Sequence, residues 1–169
     1  MCYRIITLPA QPEKVFQEEL NVARPDRRLH MIHAYIDGGS RGNPGPAGYG
    51  VRVENHEGQL IDEFYEAIGI ATNNIAEYRG LIAVLEYAIR SNLKRITIKS
   101  DSQLLVKQMH GDYRVRHPRL RPLHSHATTL TARLDHVTFE HIPRSLNTKA
   151  DRLANLAMDK HIEIERSSN

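Results

Sequence analysis

The chain has 169 residues, 40% hydrophobic and 25% charged, with a single cysteine, Cys2. That composition suits one folded globular domain and excludes a disordered chain, an intramolecular disulfide and a multi-cysteine zinc site. A net charge of +3 permits a nucleic-acid partner without demanding one, and no run of about 18 apolar residues offers a membrane span.

Residues 1–29, punctuated by Pro9, Pro12 and Pro25, read as an N-terminal extension with one weak helical stretch from Glu13 to Ala23. No basic segment followed by an apolar one opens the chain, so a cytoplasmic monomer is expected. From Met31 the pattern sharpens. Ile32, Ala34 and Ile36 alternate with His33, Tyr35 and Asp37, the period-2 signature of a strand. The segment GGSRGNPGPAGYG, residues 38–50, holds six of the ten glycines, so its backbone must turn tightly or approach another group closely. Residues 50–55 and 59–69 read as two further strands around a turn at His56, Glu57 and Gly58, giving three consecutive antiparallel strands.

Thr72 opens a helix to Arg90, on which Ile75, Tyr78, Ile82, Leu85 and Ile89 recur at helical spacing. A strand follows over Leu93–Ser100, then a helix from Asp101 to Met109. Residues 112–122 read as a loop around Pro118 and Pro122, and 123–134 as a helix. His136–Pro143 is the last strand and Asn147–His161 the last helix, with 162–169 as a tail. The order βββαβααβα predicts an α/β domain over 30–161 with a mixed sheet, because strands joined through helices pair in parallel.

Four acids stand out. With Ile75 at 0°, the apolar side chains of the first long helix fill an arc from about 180° to 340°, and Glu77 falls at about 200°, inside it. A carboxylate on the core-facing stripe is costly to bury, and interaction with the helix dipole does not explain the face. Asp37 ends an apolar strand before two glycines, where a turn residue is equally expected. Asp101 follows ITIKS, where a helix N-cap is the plain reading, although functional groups of α/β sheets gather at such strand ends. Asp151 lies one turn into the last helix, beside the stripe of Ala150, Leu153, Ala154 and Ala157. Carboxylates converging in one cleft repel unless cations neutralise them. Mg²⁺ favours carboxylate and water oxygens, and a two-ion site suits hydrolysis of a phosphodiester.

The segments YIDGGSRGNPGPAGYG, TNNIAEYRGLIAVLEY, IKSDSQLLVKQM and PRSLNTKADRLANLA resemble, in order, the four motif regions of type I ribonuclease H. The resemblance covers residues 31–160. It implies a ribonuclease H-like fold with a five-stranded mixed sheet flanked by helices. The implied activity is two-metal cleavage of the RNA strand of RNA/DNA hybrids, leaving 5′-phosphate and 3′-hydroxyl ends, with Mg²⁺ or, in its place, Mn²⁺. Asp37, Glu77, Asp101 and Asp151 match the family's metal-binding acids. Gly38, Gly39 and Ser40 match backbone that tracks the RNA minor groove. Asn43, Asn73, Asn74 and Gln103 match polar contacts to the hybrid, and Thr72 a contact to a DNA phosphate.

The chain departs from the family pattern twice. The Trp-bearing basic protrusion is replaced by Gly111–Pro122, which still carries Arg114, Arg116, Arg119 and Arg121. The family's mobile histidine before the fourth acid is matched by His141 in an ungapped count. Read instead as the end of the last strand, His141 leaves that role empty, and this second alignment is preferred. A P-loop reading of the glycine segment fails, because no Gly-Lys-Ser/Thr follows it. Two other activities fit the fold: a module binding hybrid or double-stranded RNA without cleavage, and an integrase-type DNA nuclease. The four acids argue against the first, since a binder of phosphates has no use for them.

Overall fold

The computed structural model describes residues 31–167, with side chains through Lys160; the N-terminal extension expected over 1–29 lies outside the described residues. The elements are β1 (Ile32–Ser40), β2 (Gly45–Glu54), β3 (Leu60–Ala71), α1 (Asn73–Arg90), β4 (Arg95–Ser100), α2 (Gln103–His110), α3 (Leu120–Thr131), β5 (His136–His141) and α4 (Thr148–Ser167). The five strands form one mixed sheet in the order β3-β2-β1-β4-β5. β1 and β2 run antiparallel, as do β2 and β3, while β4 lies parallel to both β1 and β5.

The alternation in β1 decides what covers each side. Ile32, Ala34 and Ile36 are buried in one core with Tyr78, Leu81 and Leu85 of α1 and with Leu120, Ala127 and Leu130 of α3. On α4, Ala150, Leu153, Ala154 and Ala157 are buried. They lie on the backbone of β2: a Cβ at Gly48 would sit 2.4 Å from Ala157 Cβ, and one at Gly50 2.4 Å from Leu153 Cβ.

The glycine-rich segment is therefore mostly strand. β1 runs on to Ser40 and β2 begins at Gly45, five residues before the expected start, so only residues 41–44 turn. The missing side chains make room for helices. A Cβ at Gly38 would fall 2.2 Å from the backbone nitrogen of Glu77, which seats the first turn of α1 directly on β1.

Other boundaries shift for local reasons. α3 starts at Leu120, inside the expected loop, because Pro122 falls in the first turn, where its missing N–H is not needed. β5 stops at His141, two residues before Pro143, and α4 continues to Ser167, past the expected end at residue 161. Thr72 caps α1, its Oγ1 accepting from the Ile75 N–H at 3.4 Å. Ser102 caps α2, its Oγ accepting from the Leu105 N–H at 3.3 Å, so Asp101 is not used as the cap.

Candidate active site

β1 and β4 are adjacent and parallel at the centre of the sheet, with Ile36 opposite Ser100. Asp37 and Asp101 each follow one of these paired residues, so two acids stand side by side where the pairing of β1 with β4 ends; Asp37 does not end its strand as expected, because β1 stays paired with β2 as far as Ser40. Gly38 lets α1 descend until Glu77 reaches the same place, and α4 brings Asp151 from the other face. The result is a cleft of about 410 Å³ whose lining includes Asp37, Glu77, Asp101, Arg144 and Asp151. A second depression of similar volume, between β3 and α1, gathers no such cluster; there Glu66 accepts a hydrogen bond from the Tyr49 hydroxyl at 2.5 Å.

The acids feel one another. Burial pushes the Asp37 carboxyl up to about 7, and the charges of Asp101 and Asp151 push the same way, against the Gly38 N–H and the Arg144 guanidinium. Burial likewise raises Glu77 to about 7, with Asp37 and Asp101 adding repulsion and a hydrogen bond from Ser102 opposing it.

Three of the four are held by side chains. The Ser102 hydroxyl donates to Glu77 Oε2 at 2.6 Å. Asn147 Nδ2 donates to Asp101 Oδ1 at 2.7 Å. Arg144 donates to Asp151 Oδ1 at 2.7 Å, and Asn155 Nδ2 to Asp151 Oδ2 at 3.1 Å. Among the described residues, no group of three or more His, Cys, Asp or Glu side chains is arranged to hold a metal ion as it stands. A cation here would have to draw the carboxylates inward or complete its shell with water and substrate oxygens.

The other expected site residues divide. Gly38, Gly39, Ser40 and Asn73 line the cleft with the acids. Asn43 and Thr72 gather beside it at the start of α1, where Asn43 Oδ1 accepts from the Asn73 N–H at 3.2 Å and Thr72 forms the cap. Asn74 is half-buried in the first turn of α1, and Gln103 is exposed at the start of α2. His141 is the exposed last residue of β5, opposite Ser100, and is not among the residues lining the cleft.

Sequence reasoning missed Ser102, Arg144 and Asn155. Ser102 carried a usable signal, a Ser just before a helical pattern. Arg144 carried only its place in the short loop before the fourth acid, and Asn155 only its place one turn after it.

A basic surface lies beyond α2. Arg114, Arg116, Arg119 and Arg121 are all exposed. A groove of about 510 Å³ there is lined by Gln108, His110, Tyr113, Arg114, Arg121 and His124, among others. Lys107 Nζ stands 4.8 Å from the centre of the Tyr113 ring.

Residues 35–157 match the family model described as "Reverse transcriptase-like". The chain is also 44% identical to the ribonuclease HI of Halobacterium salinarum over 138 residues, spanning 82% of this chain and 69% of that protein. The chain belongs to the ribonuclease HI family. It is 49% identical over 124 residues to a bifunctional protein of Mycobacterium tuberculosis, of which it spans 34%, so the chain spans about a third of the first curated relatives it matches. The solved N-terminal RNase H domain of that mycobacterial protein superposes with a TM-score of 0.77 at 45% identity, covering 80% of this chain and 98% of the other. An RNase H1 solved in complex with RNA/DNA hybrid superposes at 0.74 with 38% identity, covering 78% and 99%. The five-stranded mixed sheet is thus the ribonuclease H fold. Among the described residues no helix is long and apolar enough to cross a membrane.

Proposed function

We propose that the chain hydrolyses the RNA strand of RNA/DNA hybrids at the carboxylate cleft, using divalent cations, with Mg²⁺ as the physiological ion and Mn²⁺ as a substitute. The observation that carries this reading is the convergence of Asp37, Glu77, Asp101 and Asp151 on one cleft, with two carboxyls pushed up to about 7. An all-oxygen donor set with excess negative charge suits a hard divalent ion, and the raised carboxyls reflect a repulsion that such an ion would relieve. A related RNase H1 solved with RNA/DNA hybrid supports the choice of substrate.

Asp37 and Asp101 would hold the ions between them, with Glu77 and Asp151 completing opposite sides. Once bound, such ions make water a better nucleophile and stabilise the leaving oxygen of a phosphodiester. The residues of the chain supply position. Ser102 fixes the Glu77 carboxylate, and Arg144 and Asn155 fix that of Asp151. Backbone at Gly38, Gly39 and Ser40 would meet sugar edges, with Asn43, Asn73, Asn74 and Gln103 as polar contacts, because amides both donate to and accept from 2′-hydroxyls, and Thr72 would contact a DNA phosphate. The arginines of 111–122 would hold phosphates. With His141 outside the cleft lining, no histidine is assigned to proton transfer. The proposal also takes the chain as a cytoplasmic monomer, with double-stranded RNA as a second candidate ligand.

The test is cleavage of a labelled hybrid in Mg²⁺, in Mn²⁺ and in EDTA. Cleavage is expected with either metal and none in EDTA. Asp37→Asn should abolish it, while His141→Ala should stay within about tenfold of the wild type. Tight hybrid binding in EDTA with no cleavage in Mg²⁺ would refute the enzyme reading.

A further inference from the structure

Asn147 precedes α4 and is only 1% exposed. Its side-chain Nδ2 donates twice, to the Ile36 carbonyl at 2.9 Å and to Asp101 Oδ1 at 2.7 Å. Its backbone carbonyl accepts the Asp151 N–H at 3.0 Å, and its own N–H donates to the Arg144 carbonyl at 3.0 Å. Ile36 is the residue before Asp37. One buried residue therefore ties together the strand that carries Asp37, the carboxylate of Asp101 and the turn that carries Asp151.

The direction of the amide is determined by its surroundings. Turned over, it would aim its oxygen at a carbonyl and a carboxylate, two acceptors that cannot pair with it. In the observed direction both amide hydrogens are used, and Oδ1 is left buried without a partner. Leaving a buried acceptor unpaired is unfavourable. The site tolerates this while satisfying both donors, which marks the donors as what the position requires. A carboxylate oxygen gripped from behind by a buried amide also leaves its second oxygen in a defined direction.

We propose that Asn147 is the positioning residue of the carboxylate site: through Nδ2 it locks Asp101 to β1, so that Asp37 and Asp101 present their free oxygens to a cation at a fixed separation. Ser102, Arg144 and Asn155 each hold a single acid from less buried positions. Among the described residues only Asn147 bonds the elements of three. The proposal rests on the reading of these acids as cation ligands.

The experiment compares Asn147→Ala and Asn147→Asp with the wild type. It measures folding in urea, Mg²⁺ binding by calorimetry without nucleic acid, and kcat and KM on a hybrid. Asp keeps the shape of Asn but offers no donor when ionised and only one when protonated, so it cannot serve Asp101 and the Ile36 carbonyl together; Ala loses both shape and donors. The expected result is that Ala weakens Mg²⁺ binding and lowers kcat by about 10- to 100-fold, with KM for hybrid within about threefold and a cooperative urea transition. Asp should do no better than Ala. If Asn147→Asp fails to fold, the Ala readouts decide. Mg²⁺ affinity and kcat for Ala within about twofold of the wild type would overturn the proposal. So would recovery toward wild type in Asp, or failure of both variants to fold, since each would make the role one of packing alone. A wild type that binds Mg²⁺ but does not cleave hybrid would sink the hydrolase reading, while the calorimetry would still decide the role of Asn147.

Discussion

Asp37→Asn should stabilise the metal-free protein while destroying its activity. The Asp37 carboxyl is raised from 3.8 to about 7 in the fold. The folded state therefore holds this proton more tightly than the unfolded chain does. Asp37 costs almost nothing below about pH 3, and its penalty grows as the pH rises from about 4 toward 7. At about 1.36 kcal/mol per pH unit, the span amounts to a ceiling of about 4 kcal/mol at pH 8. That rise already contains the opposing pull of the Gly38 N–H, so the expected gain is about 2–4 kcal/mol, up to that ceiling. Urea denaturation in EDTA at pH 8 and pH 4.5 measures it. The variant should be the more stable at pH 8, and the difference should be several-fold smaller at pH 4.5. Saturating Mg²⁺ should stabilise the wild type at pH 8 and the variant far less. A gain of equal size at both pH values, or no gain at pH 8, would refute the claim that burial and the neighbouring acids strain this carboxyl.

Four further outcomes follow from the geometry. Arg144 places a mostly exposed cation against Asp151. Arg144→Ala should tighten Mg²⁺ binding about two- to fivefold at low ionic strength, with the effect fading toward about 1 M salt, as calorimetry at two salt concentrations would show. Gly38→Ala should cost about 3 kcal/mol or abolish folding, because the new Cβ meets the backbone of α1 at 2.2 Å. Gly58→Ala, with φ at +79° but nothing within 4 Å, should cost only about 1–2 kcal/mol in the same urea assay. Replacing Arg114, Arg116, Arg119 and Arg121 together by Ala should flatten the salt dependence of hybrid binding, by about 0.7–0.9 in log–log slope for each phosphate left without its arginine. An unchanged slope would place the phosphates elsewhere.

The elements were legible because each carries its own period. β1 alternates and α1 repeats every three to four residues, so the core-facing side of each can be named from the chain alone. Glu77 was legible for the same reason, since it breaks the apolar stripe. The glycine segment was only half legible. Its glycines were recognised as permitting close approach, but the approaching groups, α1 at Gly38 and α4 at Gly48 and Gly50, come from distant parts of the chain. Pro122 misled because a proline signals a break inside a helix and a start in its first turn, and local sequence does not say which turn it occupies.

The sequence by itself determined the order of the elements, the choice of the four acids and, through its motifs, the family. It could do so because periodicity and motif spacing are properties of contiguous residues. The tertiary structure decided what holds the acids. Asn147 reaches Asp101 across 46 positions and Ile36 across 111, and nothing in the local sequence of any of the three announces the bond. It likewise decided that Ser102 rather than Asp101 caps α2, leaving Asp101 free to face the cleft. Which side chain serves a helix end and which serves a site depends on the direction of approach of elements far apart in the chain, and that direction exists only once the sheet has formed.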